Sequence, residues 1–222
     1  MIEKEIADIY SLEEANEIKN ELLEALHYYR RALKVSTPDK YPKSYALVHN
    51  NIGLAYVKLA YFTNDKNDMA YFTNDKNDIL KAIRAYEEAL KIRTAEEYPE
   101  GYATTQNNLG TAYVKLAYFT NVAYFTNDKN DILKAIRAYE EALKIRTAEE
   151  YPIKYFLLQK ALGDAYYQLS FKENRKANRS KAFDAYQQFM KIESYTDVCR
   201  DIEEICQEVK DRMERIKEEE EG

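Results

Sequence analysis

The chain has 222 residues, with 33 Lys and Arg against 39 Asp and Glu, for a formal net charge of −6. That length can bury a real core as one domain or one short solenoid, and the mild acidity argues against a general grip on nucleic acid, which needs a basic face to displace counterions. Gly (5) and Pro (4) are scarce, Tyr stands at 21 and Trp is absent, while Ala, Leu, Lys and Glu are plentiful, as in an all-helical protein.

In chain order, the opening MIEKEIADIY lacks the apolar stretch of a signal peptide. No apolar run reaches the roughly 18 residues of a membrane span. Ser11 and Glu14 then form a capping-box pattern, which predicts a helix running to about Val35. Beyond it the sequence repeats. Gly53, Gly110 and Gly163 are spaced by 57 and 53, and the pairs Tyr41-Pro42, Tyr98-Pro99 and Tyr151-Pro152 give the same spacings. Ala25, Ala82, Ala135 and Ala182 add a last spacing of 47. Such periods mark a stacked array.

Each unit predicts a helical hairpin. YPKSYALVHNNIGLAYVKLA spaces Ala46, Ile52, Ala55, Tyr56 and Leu59 by threes and fours, with proline at the first turn, where its missing N–H costs nothing. This is helix A. ILKAIRAYEEALKI does the same with Ile79, Ile83, Tyr86 and Leu90, and Asn77 or Asp78 is its expected N-cap. This is helix B. The predicted organisation is an N-terminal helical region (1–42), three units (43–98, 99–151, 152–193) and a capping helix (194–219). In that last helix Cys199, Ile202, Cys206, Val209, Met213 and Ile216 make one apolar face. Its acidic final residues are expected to fray. The two cysteines lie two helical turns apart, roughly 10 Å, too far for one disulfide, so a cytoplasmic, reducing location fits best.

The parent unit is 47 residues, and the first two units carry 10 and 6 more. Both additions are tandem copies between the helices: AYFTNDKNDM before AYFTNDKND, and AYFTNV before AYFTN. Residues 70–99 and 123–152 are identical over 30 positions. Tyr61, Phe62, Tyr71 and Phe72 in unit one, and Tyr118, Phe119, Tyr124 and Phe125 in unit two, either stack between hairpin tips or form an exposed patch for a partner. TNDKND favours turns, so helix A is expected to extend by a turn and then give way to a long protruding loop. Continuous long helices are the alternative.

His49-x2-Ile52-Gly53-x2-Tyr56, Gln106-x2-Leu109-Gly110-x2-Tyr113 and Gln159-x2-Leu162-Gly163-x2-Tyr166 precede Ala82-x3-Tyr86, Ala135-x3-Tyr139 and Ala182-x3-Tyr186. Over residues 25–192 these resemble the tetratricopeptide repeat family. The likeness is closest to the long-unit type seen in kinesin light chains and methanogen proteins. The first large aromatic is absent, the A–B connection is longer and the proline falls later. The resemblance implies an all-α, right-handed solenoid of antiparallel hairpins with helix A on the concave wall. It implies a groove that binds protein or peptide without chemistry. Asn50, Asn51, Asn107 and Asn108 are candidates there, Asn51 and Asn108 foremost, since an amide offers a peptide both donor and acceptor. Leu54, Lys58, Thr111, Lys115, Asp164 and Gln168 share that register. The competing role for the asparagines is hydrogen bonding between units.

Nothing predicts catalysis, a cofactor or a metal. His27 and His49, the only histidines, lack metal-ligand spacing, and no phosphate loop, G-x-S-x-G or HExxH occurs. Three readings follow. One is a binding scaffold, monomeric or weakly self-associating. Another is a synthetic or model-generated repeat scaffold with no evolved ligand, which the exact copy motivates. The third is a self-assembly module using loop aromatics or an overhang of Met213 and Ile216.

Overall fold

The computed structural model describes residues 12–62, 70–123, 129–194 and 203–221. Among these, eight α-helices and one 3-10 turn occur and no strand. The helices are α1 (Leu12–Leu33), α2 (Pro42–Phe62), α3 (Ala70–Leu90), α4 (Pro99–Ala123), α5 (Asn130–Leu143), α6 (Pro152–Ser170), α7 (Arg175–Met190) and α8 (Glu203–Glu221), with the 3-10 turn at Lys191–Ser194. The prolines at 42, 99 and 152 open α2, α4 and α6, where a missing N–H leaves no intrahelical bond unmade. None of the described helices is long and apolar enough to cross a membrane. The chain divides into two compact units, Met1–Thr126 and Asn127–Gly222. The division falls inside the unit read from sequence as 99–151.

In the first unit, α1 packs on α2, α2 on α3, and α3 on α4. Leu26 of α1, Ile52, Tyr56 and Leu59 of α2, Ile79, Ile83 and Tyr86 of α3, and Leu109, Leu116 and Phe119 of α4 share one core. Tyr45, near the start of α2, donates its hydroxyl to Glu88, near the end of α3, at 3.2 Å, so this hairpin is antiparallel. In the second unit α6 pairs with α5 and α7, and α8 packs on α7. Phe156, Tyr186, Phe189, Ile192, Cys206, Val209 and Ile216 form its core. The short α6–α7 turn closes with Asn174 at φ 44°, a left-handed conformation that asparagine tolerates.

The repeat register persists in the hydrogen bonds. Tyr113 Oη donates to Glu87 at 3.3 Å and Tyr166 Oη to Glu140 at 2.7 Å, each 26 residues back. At the same register Tyr56 Oη accepts from Arg30 at 2.7 Å.

Several expectations are corrected. Asn77 and Asp78 do not cap helix B of unit one, because α3 begins at Ala70 and both lie inside it. Their copies Asn130 and Asp131 open α5, where the cap position is Lys129, without a side-chain cap bond. The carboxylates of Asp78 and Asp131 instead meet Lys81 at 2.8 Å and Lys134 at 3.1 Å. The copied segments do not simply form loops. In unit one the second copy starts α3, and in unit two the first copy lengthens α4 to Ala123. Ser11 and residues 63–69 and 124–128 lie outside the described residues, as does Cys199. The acidic end of α8 stays helical to Glu221, and Ile216 is buried in the second unit's core rather than overhanging.

Candidate functional site

The outward face of α2 and α4 in the first unit carries most of the predicted groove residues. Leu47, Asn51, Leu54 and Lys58 step along α2 by 4, 3 and 4, which keeps them on one side of the helix. Leu47 is 50% exposed and Leu54 40% exposed, large aliphatic side chains left in water. Lys58 is exposed and Asn51 half-buried. On α4 the same positions hold Thr104, Asn108, Thr111, Lys115 and Tyr118. Thr111 is exposed and its hydroxyl donates back to the Asn107 carbonyl at 3.1 Å. Asn107 and Lys115 are half-buried.

Two of the four asparagines meet each other. Asn50, 6% exposed, turns its Oδ1 toward α4 and accepts from Asn108 Nδ2 at 3.3 Å. Thr105 Oγ1 lies 3.2 Å from that oxygen and 2.9 Å from the Gly101 carbonyl, so its single proton serves one at a time. Arg93 Nη1 donates to Thr105 Oγ1 at 2.8 Å. Burial pushes the Arg93 guanidinium below its usual value. This is the hydrogen-bonding role between units, realised at Asn50 and Asn108. Sequence reading missed Thr105 and Arg93. No sequence signal pointed to them, and in the third unit the positions of Thr105 and Asn108 hold Leu158 and Ala161, with no side-chain donor. Asn51 makes no such bond among the described residues and remains available on the outer stripe.

His49 is packed rather than exposed as a ligand. Its ring lies 4.4 Å from that of Tyr45, and its Nδ1 is buried without a hydrogen-bond partner. Burial lowers the imidazole below its ordinary value. An open hollow of ≈ 550 Å³ lies at the α3–α4 turn, lined by Pro42, Lys91, Ile92, Thr94, Glu96, Glu97 and Tyr98, apart from the groove candidates.

In the second unit Asp164 of α6 is committed to packing. It accepts from Lys160 Nζ at 2.7 Å, from Tyr186 Oη at 2.8 Å and from Arg212 of α8. Gln168 is half-buried, and its carbonyl accepts from the Phe171 N–H at 3.3 Å, closing the helix. The copied aromatics divide. Tyr118 is 49% exposed, while its neighbour Phe119 is 5% exposed and joins the first core. Tyr61, Phe62, Tyr71 and Phe72 lie in the end turns of α2 and α3, with side chains outside the described residues. Tyr124 and Phe125 are outside them altogether. Compared with models of protein families and with curated proteins, the chain matches none.

Proposed function

We propose that the chain is a non-enzymatic scaffold of tetratricopeptide type, a right-handed solenoid of hairpins that binds an extended peptide along the outward stripe of α2 and α4. A reducing, cytoplasmic setting belongs to the same reading. The observation that carries it is the alignment of two exposed leucines, Leu47 and Leu54, with Asn51 and Lys58 on one helical face. Aliphatic side chains at such spacing receive apolar side chains of a peptide, Asn51 meets its backbone, and Lys58 favours a carboxylate on it. Arrays of immobilised peptides probed with the full chain test this. Leu54→Glu and Asn51→Ala are expected to weaken captured sequences on the order of tenfold, as central contacts do. Binding unchanged in both variants removes the assignment.

The identity of residues 70–99 and 123–152 favours a second reading, a scaffold assembled by copying and without an evolved ligand. Arrays that capture no peptide under any condition support it over the first.

A further inference from the structure

The first and last described helices both stand in the repeat register, and their outer faces differ in kind. Leu22, Ala25, Leu26, Tyr29 and Ala32 of α1 take the places of Ile79, Ala82, Ile83, Tyr86 and Ala89, so α1 is a helix B. In α3, α5 and α7 the residue three after the register alanine is Ala85, Ala138 or Ala185, 6, 4 and 5% exposed. On α1 that residue is Tyr28, 55% exposed. Ala25 is half-buried where Ala82, Ala135 and Ala182 are fully buried. Among the described residues α1 packs on α2, with Tyr28 exposed and Ala25 and Ala32 half-buried on the arc beside that contact.

The charges of α1 are sorted along its length. Glu17, Glu21 and Glu24 precede Tyr28, while Arg30 and Arg31 follow it, with Lys34 in the turn just past the helix end, all exposed. The one base among the acids, Lys19, is half-buried. A helix that is acidic in one half and basic in the other complements itself when a second copy runs antiparallel.

The last described helix is built differently. In α8, Cys206, Val209 and Met213 take the places of His49, Ile52 and Tyr56, so α8 is a further helix A. Where α2 buries Ala46, Gly53 and Val57, α8 presents Glu203, Lys210 and Glu214, all exposed. A polar outer face of this kind terminates an array. Head-to-tail stacking of copies would press the apolar arc of α1 against those charges and desolvate them, which leaves a closed two-fold pairing through α1 as the favoured contact.

We propose that α1 is a homodimer surface, pairing antiparallel with α1 of a second copy about an axis near Tyr28. In that register Ala25 faces Ala32 of the second copy, and the small side chains let the helices approach closely. Glu24 faces Arg31 of the second copy and Glu21 faces Lys34. The two-fold symmetry makes each pair occur twice.

Sedimentation velocity of the full chain over a concentration series tests this. A monomer–dimer equilibrium is expected, and Tyr28→Glu should leave monomer. Glu24→Arg and Arg31→Glu should each weaken the dimer on the order of tenfold. Mixed one to one, these two variants should regain wild-type affinity as a heterodimer, because opposite charges then meet at both contacts. Circular dichroism checks that each variant, all at exposed positions, is folded. A full chain that stays monomeric overturns the proposal, as does a dimer indifferent to Tyr28→Glu. A monomeric full chain that dimerises only after deletion of residues 1–10 also overturns it, since those residues would then be what covers α1.

Discussion

Gly53 lies directly under the ring of Tyr86: a β-carbon built on it would sit 2.7 Å from both Cδ1 and Cζ. Gly163 stands in the same relation to Tyr186, at 2.6 Å from Cδ1 and Cε1. Both rings are buried, at 1% and 0% exposure, and have no room to swing aside. Alanine would gain about 1 kcal/mol of helix propensity over glycine. Overpacking a rigid core costs about 1–3 kcal/mol, and contacts below 3 Å belong at the upper end. Gly53→Ala and Gly163→Ala are therefore expected to lower stability in urea by about 2 kcal/mol. Pairing Gly53→Ala with Tyr86→Leu should recover part of the loss. Full additivity in that double-mutant cycle would refute the steric account.

Asn50 and its neighbour Asn51 should behave differently. Asn50→Ala removes the acceptor that Asn108 uses, and Thr105 can turn to Gly101, so a loss of about 1 kcal/mol is expected. Asn51→Ala should change stability by less than about 0.5 kcal/mol. Chemical denaturation of both variants separates a locking asparagine from one left for a ligand; equal losses would mean the structure has assigned the wrong member.

Phe119 and Tyr118 are adjacent copied aromatics with opposite fates. Phe119→Ala should cost about 3 kcal/mol or more, as for a buried Phe. Tyr118→Ala, at an exposed position, should fall within about 0.5 kcal/mol. Thermal melts of the two decide whether the copied segment is part of the core.

Below about pH 6.5, the ordinary imidazole value, His49 should weaken the fold. Its folded value is lowered by burial, so in the window just beneath the ordinary value the unfolded chain binds the proton and the folded chain does not. Stability contributed there is complete above that window and is lost as pH falls through it. Glu88 acts at lower pH, because its hydrogen bond from Lys91 holds the carboxylate below its usual range. His49→Gln, which copies the residue at positions 106 and 159, should flatten the upper window only. A pH–stability profile unaltered by that change would exclude His49 as its source.

Arg212 ties α8 to the rest of the second unit through Asp164, with its other arm on Glu208. It also donates to Tyr186 Oη at 3.3 Å. A charge-assisted, half-buried set of this kind is worth about 2 kcal/mol. Arg212→Ala should therefore raise hydrogen exchange across α8 before that of α6. Exchange that rises equally in both helices would show that the contact is not what holds α8 in place.

Much of this was legible in the residues themselves. The prolines that open α2, α4 and α6, the glycine–tyrosine spacing and the three-and-four apolar steps need only local geometry. They placed the helices A and B to within a few residues except at the copied segments. Thr105 and Arg93 were not legible, because a side chain's partner 55 residues away depends on how two helices are aligned. Arg212 was hidden for the same reason.

The 30-residue copy separates the two kinds of information. From Asn77 to Leu90 and from Asn130 to Leu143 the same residues make the same helix, because a buried apolar face repeats every three or four positions whatever surrounds it. Ahead of that stretch identical residues part company. Ala70 lies in a helix B and its copy Ala123 in a helix A, and Lys76 is helical while its copy Lys129 stands outside α5. The Lys129 ammonium pairs with Glu173 of the α6–α7 turn, a partner that residue numbers alone do not supply. Where no apolar face dictates the conformation, helix and turn differ by little free energy, and contacts made by the folded chain choose between them.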